Sequence, residues 1–316
     1  MTAAGLHSGG DTSTGRRGDR LFAFATRGSG IFVLVIMAAI AVFLIWEAIP
    51  ALRSNEANFL TSQDWSPDSS PARFGIAQLA FGTVLSSFLA LIMATPVAIG
   101  IALFIAFYAP RQVAGALGFI VDLLAAVPSI IYGLWGLHFF VTKMTGVAEF
   151  LNGNFGWIPI FGGDSVGGRS ILTAAVVLAI MILPIISSIS REVFLQVPRD
   201  NIEAALAIGA TRWEVIRLAV LPFGRSGMVS AAMLGLGRAL GETIAVAMVL
   251  STASGITFHI LREGGNTFAA NIANTFAEAG SAGRGALIAS GLVLFVITLI
   301  VNMAARAIVA RRKEFV

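Results

Sequence analysis

Arg238 and Glu242 stand four residues apart inside an apolar run, residues 228–250. An arginine at the centre of a lone spanning helix costs about 2.5–3.5 kcal/mol on insertion scales, so its face has to meet protein or water. At a four-residue spacing the two side chains share one helix face and can pair. Gly237 and Gly241 bracket them and would let a second helix approach closely. Two readings follow. In one, an ion pair locks two helices. In the other, Arg238 receives a multiply charged oxyanion through its planar fork. Glu242 then positions the arginine and keeps the site from holding its ligand too tightly. Thr243 and Ser129, with Tyr132, Ser187 and Ser188, are polar companions for such a path. Each is otherwise a helix–helix hydrogen bond worth about 0.6 kcal/mol. Asp122 reads as a solvated residue at an interface.

The second group with chemistry-bearing spacing is RDNIEAALAIGATRWEVIRLAVLP, residues 199–222. Asp200-x-x-Glu203 has the spacing of a capping box, with Asp in place of Ser or Thr. It predicts a short helix over 201–208. Gly209 ends that helix in the usual glycine position. Thr211-x-x-Glu214 is a second capping box and opens a helix. Its Trp213, Ile216, Arg217 and Val220 fall at i, i+3, i+4 and i+7. Pro222 marks entry to the next apolar run. The product is an elbow of two helices whose first member is too short to stand alone. It is either an interfacial connecting loop or a helix built to dock in a partner's groove.

Other chemistries find no residues. There is no cysteine, and His7, His138 and His259 are scattered. A metal-ligand cluster is therefore not expected. The lysines are Lys143 and Lys313, and neither belongs to a GxxxxGK[ST] phosphate cradle. No Ser/His/Asp order or paired-carboxylate site is seen. We expect no catalytic residue, no metal and no cofactor bound by this chain.

The elements that must position these residues are membrane helices. The chain has 316 residues, 57% hydrophobic and 12% charged, with mean hydropathy +0.86. A soluble domain carries about 25% charged residues. Six runs reach the roughly 20 apolar residues that a bilayer needs: 30–49, 76–107, 116–141, 171–195, 219–250 and 286–310. Pro96, Pro128 and Pro184 lie within them and should kink them. The high pI, about 10.3, comes from arginines between apolar runs. About fourteen Lys/Arg fall on one side and about six on the other, which places both termini and the elbow in the cytoplasm. The expected plan is a polar tail over 1–29, disordered and cytoplasmic; a first transmembrane helix over 30–50; and an extracytoplasmic loop over 51–73. A core of five helices follows over 74–312, with the elbow at 199–222 and a cytoplasmic C-terminus at 313–316. Trp65 and Trp157 in the outer loops suit the membrane–water boundary. No fixed-period repeat is visible.

The elbow resembles the EAA motif of bacterial ABC importer permeases: Glu203, Ala204, Ala205, three residues, Gly209, and Leu221-Pro222. It departs at the family's Ile position, here Ala219. AAVPSIIYGLWG (125–136) and LGRALGETIAVAMV (236–249) resemble the phosphate-transport permease pair. The long outer loop between the first two runs favours the PstC-type member over its PstA-type partner. The likeness extends over residues 31–312. It implies an all-α fold of six transmembrane helices, the type I ABC importer permease architecture with a cytoplasmic coupling helix. It implies that Glu203, Ala204, Ala205, Gly209, Thr211 and Arg212 meet an ATPase, and that Arg238 and Glu242 lie on the substrate path. It also implies partners: a homologous PstA-type permease, two PstB-type ATPase chains that carry ATP and Mg, and an extracytoplasmic PstS-type phosphate-binding protein. The open alternatives are a permease of the same fold for sulfate or molybdate, an ion-coupled secondary carrier, and a structural membrane subunit.

Overall fold

The computed structural model describes residues 13–163, 165–252 and 255–310, without the side chains of 13–17 and 308–310. Residues 1–12 of the predicted tail and the predicted C-terminus 313–316 lie outside the described residues. The fold is helical, as the sequence leads one to expect. Five helices are long and apolar enough to cross a membrane, and a sixth span exists if one sharply bent pair is counted together.

Helix α1 (Ser13–Ser54) starts well before its apolar run. Residues 13–29, expected as a disordered tail, are therefore helical. Once an apolar helix has formed, each added residue gains a hydrogen bond without a new nucleation cost. Leu21, Phe22 and Phe24 are strongly exposed. Within this chain α1 packs on α12 (Ser281–Ala310) near its own C-terminal end, where Ala48 and Ala51 are buried and Gly285 admits Ala51.

The loop after α1 is an ordered cap. Strands β1 (Trp65–Ser66) and β2 (Arg73–Phe74) pair antiparallel. Asn55 bonds the Phe74 main chain in both directions, at 2.7 and 3.0 Å. Phe59 and Trp65 stand edge-on to the buried Phe74 ring. Trp65 packs in the loop's own core, whereas Trp157 is exposed. Asp68 accepts from the N–H groups of Gly280 (3.0 Å) and Gly283 (2.8 Å) at the start of α12. A carboxylate there satisfies orphan donors and complements the helix dipole.

The spine of the bundle is α6 (Ile171–Leu195), buried along most of its length. Helix α2 (Ala77–Leu103) presents a ridge of Ala90, Ala94, Ala98 and Ala102, spaced one turn apart and fully buried. It meets Leu178, Met181, Ile182 and Ile186 of α6. On the other side α9 (Leu221–Leu240) offers glycines. Gly235 lies on Ile182 and Ile186, and Gly224 and Gly227 on Phe194 and Val193. Small residues at the contacts let the helices approach closely, the packing expected where lipid, not water, surrounds the bundle.

Two predicted spans are interrupted. The run 116–141 is not one helix: α3 (Arg111–Ala125) and α4 (Ser129–Trp135) meet at an 87° bend. Pro128 removes a donor and forces the preceding residue toward extended backbone, which ends α3. Beyond the bend the helix continues through a π-helical turn (Gly136–Phe140) into α5 (Val141–Phe155). That limb of 27 residues spans about 40 Å at 1.5 Å per residue. Asp122, read as solvated, ties α3 to α6 through Ser188 and Arg191, the latter at 3.2 Å. The run 219–250 is likewise divided, into α9 and a six-residue α10 (Ile244–Val249). The connection that follows contains α11 (Phe268–Thr275), which the apolar pattern did not indicate. Thr267 caps it, and the Phe268 N–H reaches the Thr83 hydroxyl of α2 at 3.0 Å.

Asp68→Ala should lower stability by about 1 kcal/mol, as loss of an N-terminal cap does. Asp68→Asn, which keeps an acceptor oxygen, should lose less. Thermal unfolding of the detergent-purified protein reads both, and an unchanged midpoint in Asp68→Ala would remove the cap assignment.

Candidate functional site

The break between α9 and α10 holds the predicted charges, but not as a pair. Helix α9 ends at Leu240, so Arg238 and Glu242 no longer share one continuous helix face. Among the described residues the ion pairs are those of Arg191 with Asp122 and Glu192; none joins Arg238 to Glu242. Glu242 is buried, and its Oε1 accepts the N–H of Ala245 at 3.1 Å. Its carboxylate thus closes the N-terminus of α10, while Arg238 sits in the last turn of α9. Each charge stands at the dipole end that favours it. Thr243 precedes α10, and its hydroxyl donates to the Gly241 carbonyl at 3.2 Å.

The opposite end of α10 is closed from the loop that precedes α6. The Arg169 guanidinium donates to the carbonyls of Met248 (3.1 Å) and Leu250 (2.9 Å). Helix α10 lies along the limb that starts at α4. Gly133 admits Ala245 and Met248, and Gly136 admits Val249. These contacts run in the same chain direction, so Ser129, which opens α4, stands at the same end of the pair as Glu242 and Thr243. Tyr132 donates to the Leu124 carbonyl across the bend at 3.1 Å. The two interrupted spans are therefore neighbours at their interruptions.

Arg238 also faces a cavity of about 770 Å³ between α6, α9 and α12. Its wall includes Ile185, Ser230, Gly237, Asn302 and Arg306. Glu242, Thr243 and Ser129 are not on that wall. No atom comes within 4 Å of where a Cβ on Gly237 would stand, so it is not the close helix contact that the Gly237–Gly241 spacing suggested. Sequence reasoning missed Asn302 and Arg306, although their four-residue spacing on an apolar run was a readable signal. It also missed a polar cavity of about 620 Å³ beside the loop that follows α1, lined in part by Asp64, Arg73, Asn266, Asn271 and Thr275. Nothing in the hydropathy pattern brings residues 64–73 beside α11.

The elbow is present with two changes. Helix α7 spans Arg199–Ala207, and Pro198 precedes it without a side-chain cap. Asp200 lies in the first turn, so the first predicted capping box is not formed. Proline already supplies the starting backbone angle and needs no donor there. Gly209 has φ +85°, a left-handed turn that a side chain would strain. The second box is formed: the Thr211 N–H donates to Glu214 at 2.7 Å, and the Glu214 N–H donates to the Thr211 hydroxyl at 3.4 Å. Helix α8 (Arg212–Val215) then runs through a π-helical turn (Ile216–Val220) into α9. Pro222 does not separate elbow from span. The wider turn before it accommodates the missing donor. It also rotates the face read from the sequence: Ile216 and Val220 are buried, while Trp213 and Arg217 are exposed.

The back of the elbow packs on its own chain. Ile202, Ile216 and Val220 join Phe194, Val197 and Ala102. Ala205 is buried, and Glu203, Ala204, Gly209, Thr211 and Arg212 are exposed. Beside them Leu206, Ile208 and Trp213 are 50%, 81% and 58% exposed. The elbow thus carries an apolar exposed surface rimmed by charge.

Comparison with known proteins fits this geometry. Residues 98–314 match the family described as "Binding-protein-dependent transport system inner membrane component". "Phosphate transport system permease protein PstC 2" of Mycobacterium tuberculosis is 50% identical over 303 residues, 94% of each chain. "Phosphate transport system permease protein PstC" of Xylella fastidiosa is 41% identical over 304 residues, covering 94% of this chain and 93% of its own. Among solved structures, a bacterial ABC transporter involved in the import of the acidic polysaccharide alginate has a chain that superposes with TM-score 0.56. It is 16% identical and covers 92% of this chain and 99% of its own, a likeness of fold. With the elbow, the interrupted spans and these matches together, the chain belongs to the family of binding-protein-dependent transport inner membrane components, among the PstC-type permeases.

Proposed function

We propose that this chain is the transmembrane permease of an ATP-driven importer of inorganic phosphate, and that Arg238 contacts the anion. The observation that carries the site is a guanidinium without an ion pair among the described residues, in the last turn of an interrupted span and facing an open cavity. A divalent oxyanion matches that fork. Contact with one guanidinium at a time also lets the anion leave. Glu242, Thr243 and Ser129 stand at the break on this path, where Glu242 closes α10, so the α9 terminus beside Arg238 keeps one geometry.

ATP hydrolysis belongs to a separate chain. Two PstB-type ATPases carry ATP and Mg, a PstA-type permease supplies the other wall of the path, and a PstS-type protein delivers phosphate from outside. Both termini and the elbow face the cytoplasm. The exposed Leu206, Ile208 and Trp213 seat in a groove of the ATPase, with Glu203, Thr211 and Arg212 at the rim. ATP-driven closure moves the elbow. Because α8 and α9 form one helix from Arg212 to Leu240, the motion reaches Arg238.

Uptake by the reconstituted complex tests the substrate site. Arg238→Gln should abolish phosphate uptake at normal complex amount, and Arg238→Lys should lower it about tenfold or more, keeping charge without the fork. Glu242→Gln, whose amide oxygen still accepts from Ala245, should assemble and transport better than Glu242→Ala. Wild-type uptake in Arg238→Gln would exclude a substrate role for this residue.

The elbow is tested separately. Gly209→Pro or Glu203→Lys should leave the chain inserted while uptake no longer follows ATP hydrolysis; normal coupling in both would refute the docking assignment. For topology, cysteines at positions 53 and 73 should label from outside and at 199 and 212 from inside, since the chain has no native cysteine. Labelling of 212 from outside in intact cells would reverse the orientation.

A further inference from the structure

The cavity beside Arg238 holds a second guanidinium. Arg238 and Arg306 both line it, and no carboxylate does among the described residues. Neither arginine makes an ion pair or hydrogen bond among the described residues. An unpaired guanidinium facing acyl chains is costly, so this wall meets water or protein. The volume of about 770 Å³ equals that of about 25 liquid waters. A hydrated oxyanion fits without losing its shell. The Ser230 hydroxyl donates to the Ser226 carbonyl, so the donors left to the cavity are Arg238, Arg306 and the Asn302 amide.

The order of these groups along the bundle follows from the helices. Helix α9 runs from the elbow to the break, and its wall residues from Val229 to Arg238 cover about 14 Å. Helix α12 starts at the opposite end, where Asp68 caps it beside the 51–73 loop, and runs toward the elbow. Arg306, late in α12, therefore lies on the elbow side, and Arg238 at the break end.

We propose that Arg306 is a second oxyanion-binding residue, on the elbow side of Arg238, and that phosphate released from Arg238 passes to it on the way out. The proposal rests on the reading of Arg238 as a substrate contact. Two weak sites in series keep each from trapping the anion, because leaving one is assisted by the other. Asn302, one turn before Arg306 on the same face, adds a neutral donor between water and guanidinium.

The test is phosphate uptake by the whole complex in proteoliposomes, expressed per complex and followed over a range of phosphate concentrations up to saturation. Arg306→Gln should lower the maximal rate about tenfold, the lower end of what a charged cleft contributes to ion passage. The phosphate concentration for half-maximal uptake should not move. Arg306→Lys should stay within about threefold of wild type, since at a hydrated site charge matters more than the fork. Asn302→Arg in the Arg306→Gln background returns a positive charge to the same wall one turn away and should recover most of the rate. Recovery supports an electrostatic role on the path. No recovery, with normal complex amount, overturns it. Loss of uptake in Arg238→Gln with full uptake in Arg306→Gln overturns the Arg306 assignment alone. Full uptake in Arg238→Gln overturns the underlying reading. A lipid headgroup phosphate has the same chemistry as the free anion, and vesicle composition separates the sources. In pure phosphatidylcholine the Arg306→Gln deficit should persist. If wild type falls there to the variant's rate, Arg306 holds an anionic lipid and the proposal fails.

Discussion

A six-residue helix inside a bilayer cannot hold itself together, and α10 depends on charge at both of its ends. The Ala245 N–H in its first turn meets the Glu242 carboxylate, and the carbonyls of Met248 and Leu250 at its other end meet the Arg169 guanidinium. In hydrocarbon no water is available to satisfy those groups, so the clamps are what allow the span to be interrupted at all. Once the span is interrupted, Arg238 acquires its setting. The end of α9 carries partial negative charge from its unsatisfied carbonyls, which favours a cation in the last turn. The same break frees the guanidinium from the ion pair that its spacing to Glu242 suggested.

The rest of the bundle gives these breaks a fixed frame. Helix α6 is gripped by the alanine ridge of α2 on one side and the glycines of α9 on the other. Such close packing makes up for the absence of a hydrophobic drive between helices in lipid. The bend at Pro128 is tied back by Tyr132 to Leu124, and α3 is tied to α6 by Asp122. The two interruptions are therefore neighbours by packing, although more than a hundred residues separate them in the chain.

Mechanical continuity joins the elbow to this centre. The capping box at Thr211 starts a helix that passes through the π-helical turn, past Pro222, to Leu240 without a stop. A rod of 29 residues is about 43 Å long. Its near end carries an exposed apolar surface at Trp213, and its far end carries Arg238. In the coupling role proposed for the elbow, displacement at one end has no hinge in which to be lost except that turn, where the hydrogen-bond ladder is already widened.

The amino-acid sequence by itself determined the membrane class, the helical fold, the elbow with its glycine turn and Thr211 box, and the presence of a charged residue, Arg238, within an apolar run. These rest on local physics: hydropathy over about 20 residues, capping geometry over four, and the cost of charge in lipid. Tertiary structure decided what those local rules leave free. Arg238 and Glu242 are i and i+4 in sequence, yet a helix end falls between them, because Arg169 and the α4 limb stabilise α10 from outside its own segment. Asp200 has capping spacing, yet Pro198 opens the helix first. Arg306 and Asn302 share a cavity with Arg238 only because α12 packs beside α9. Asp68 meets Gly280 and Gly283 across more than two hundred residues. Spacing rules see one element at a time, and each of these contacts is made between elements, where packing sets the geometry.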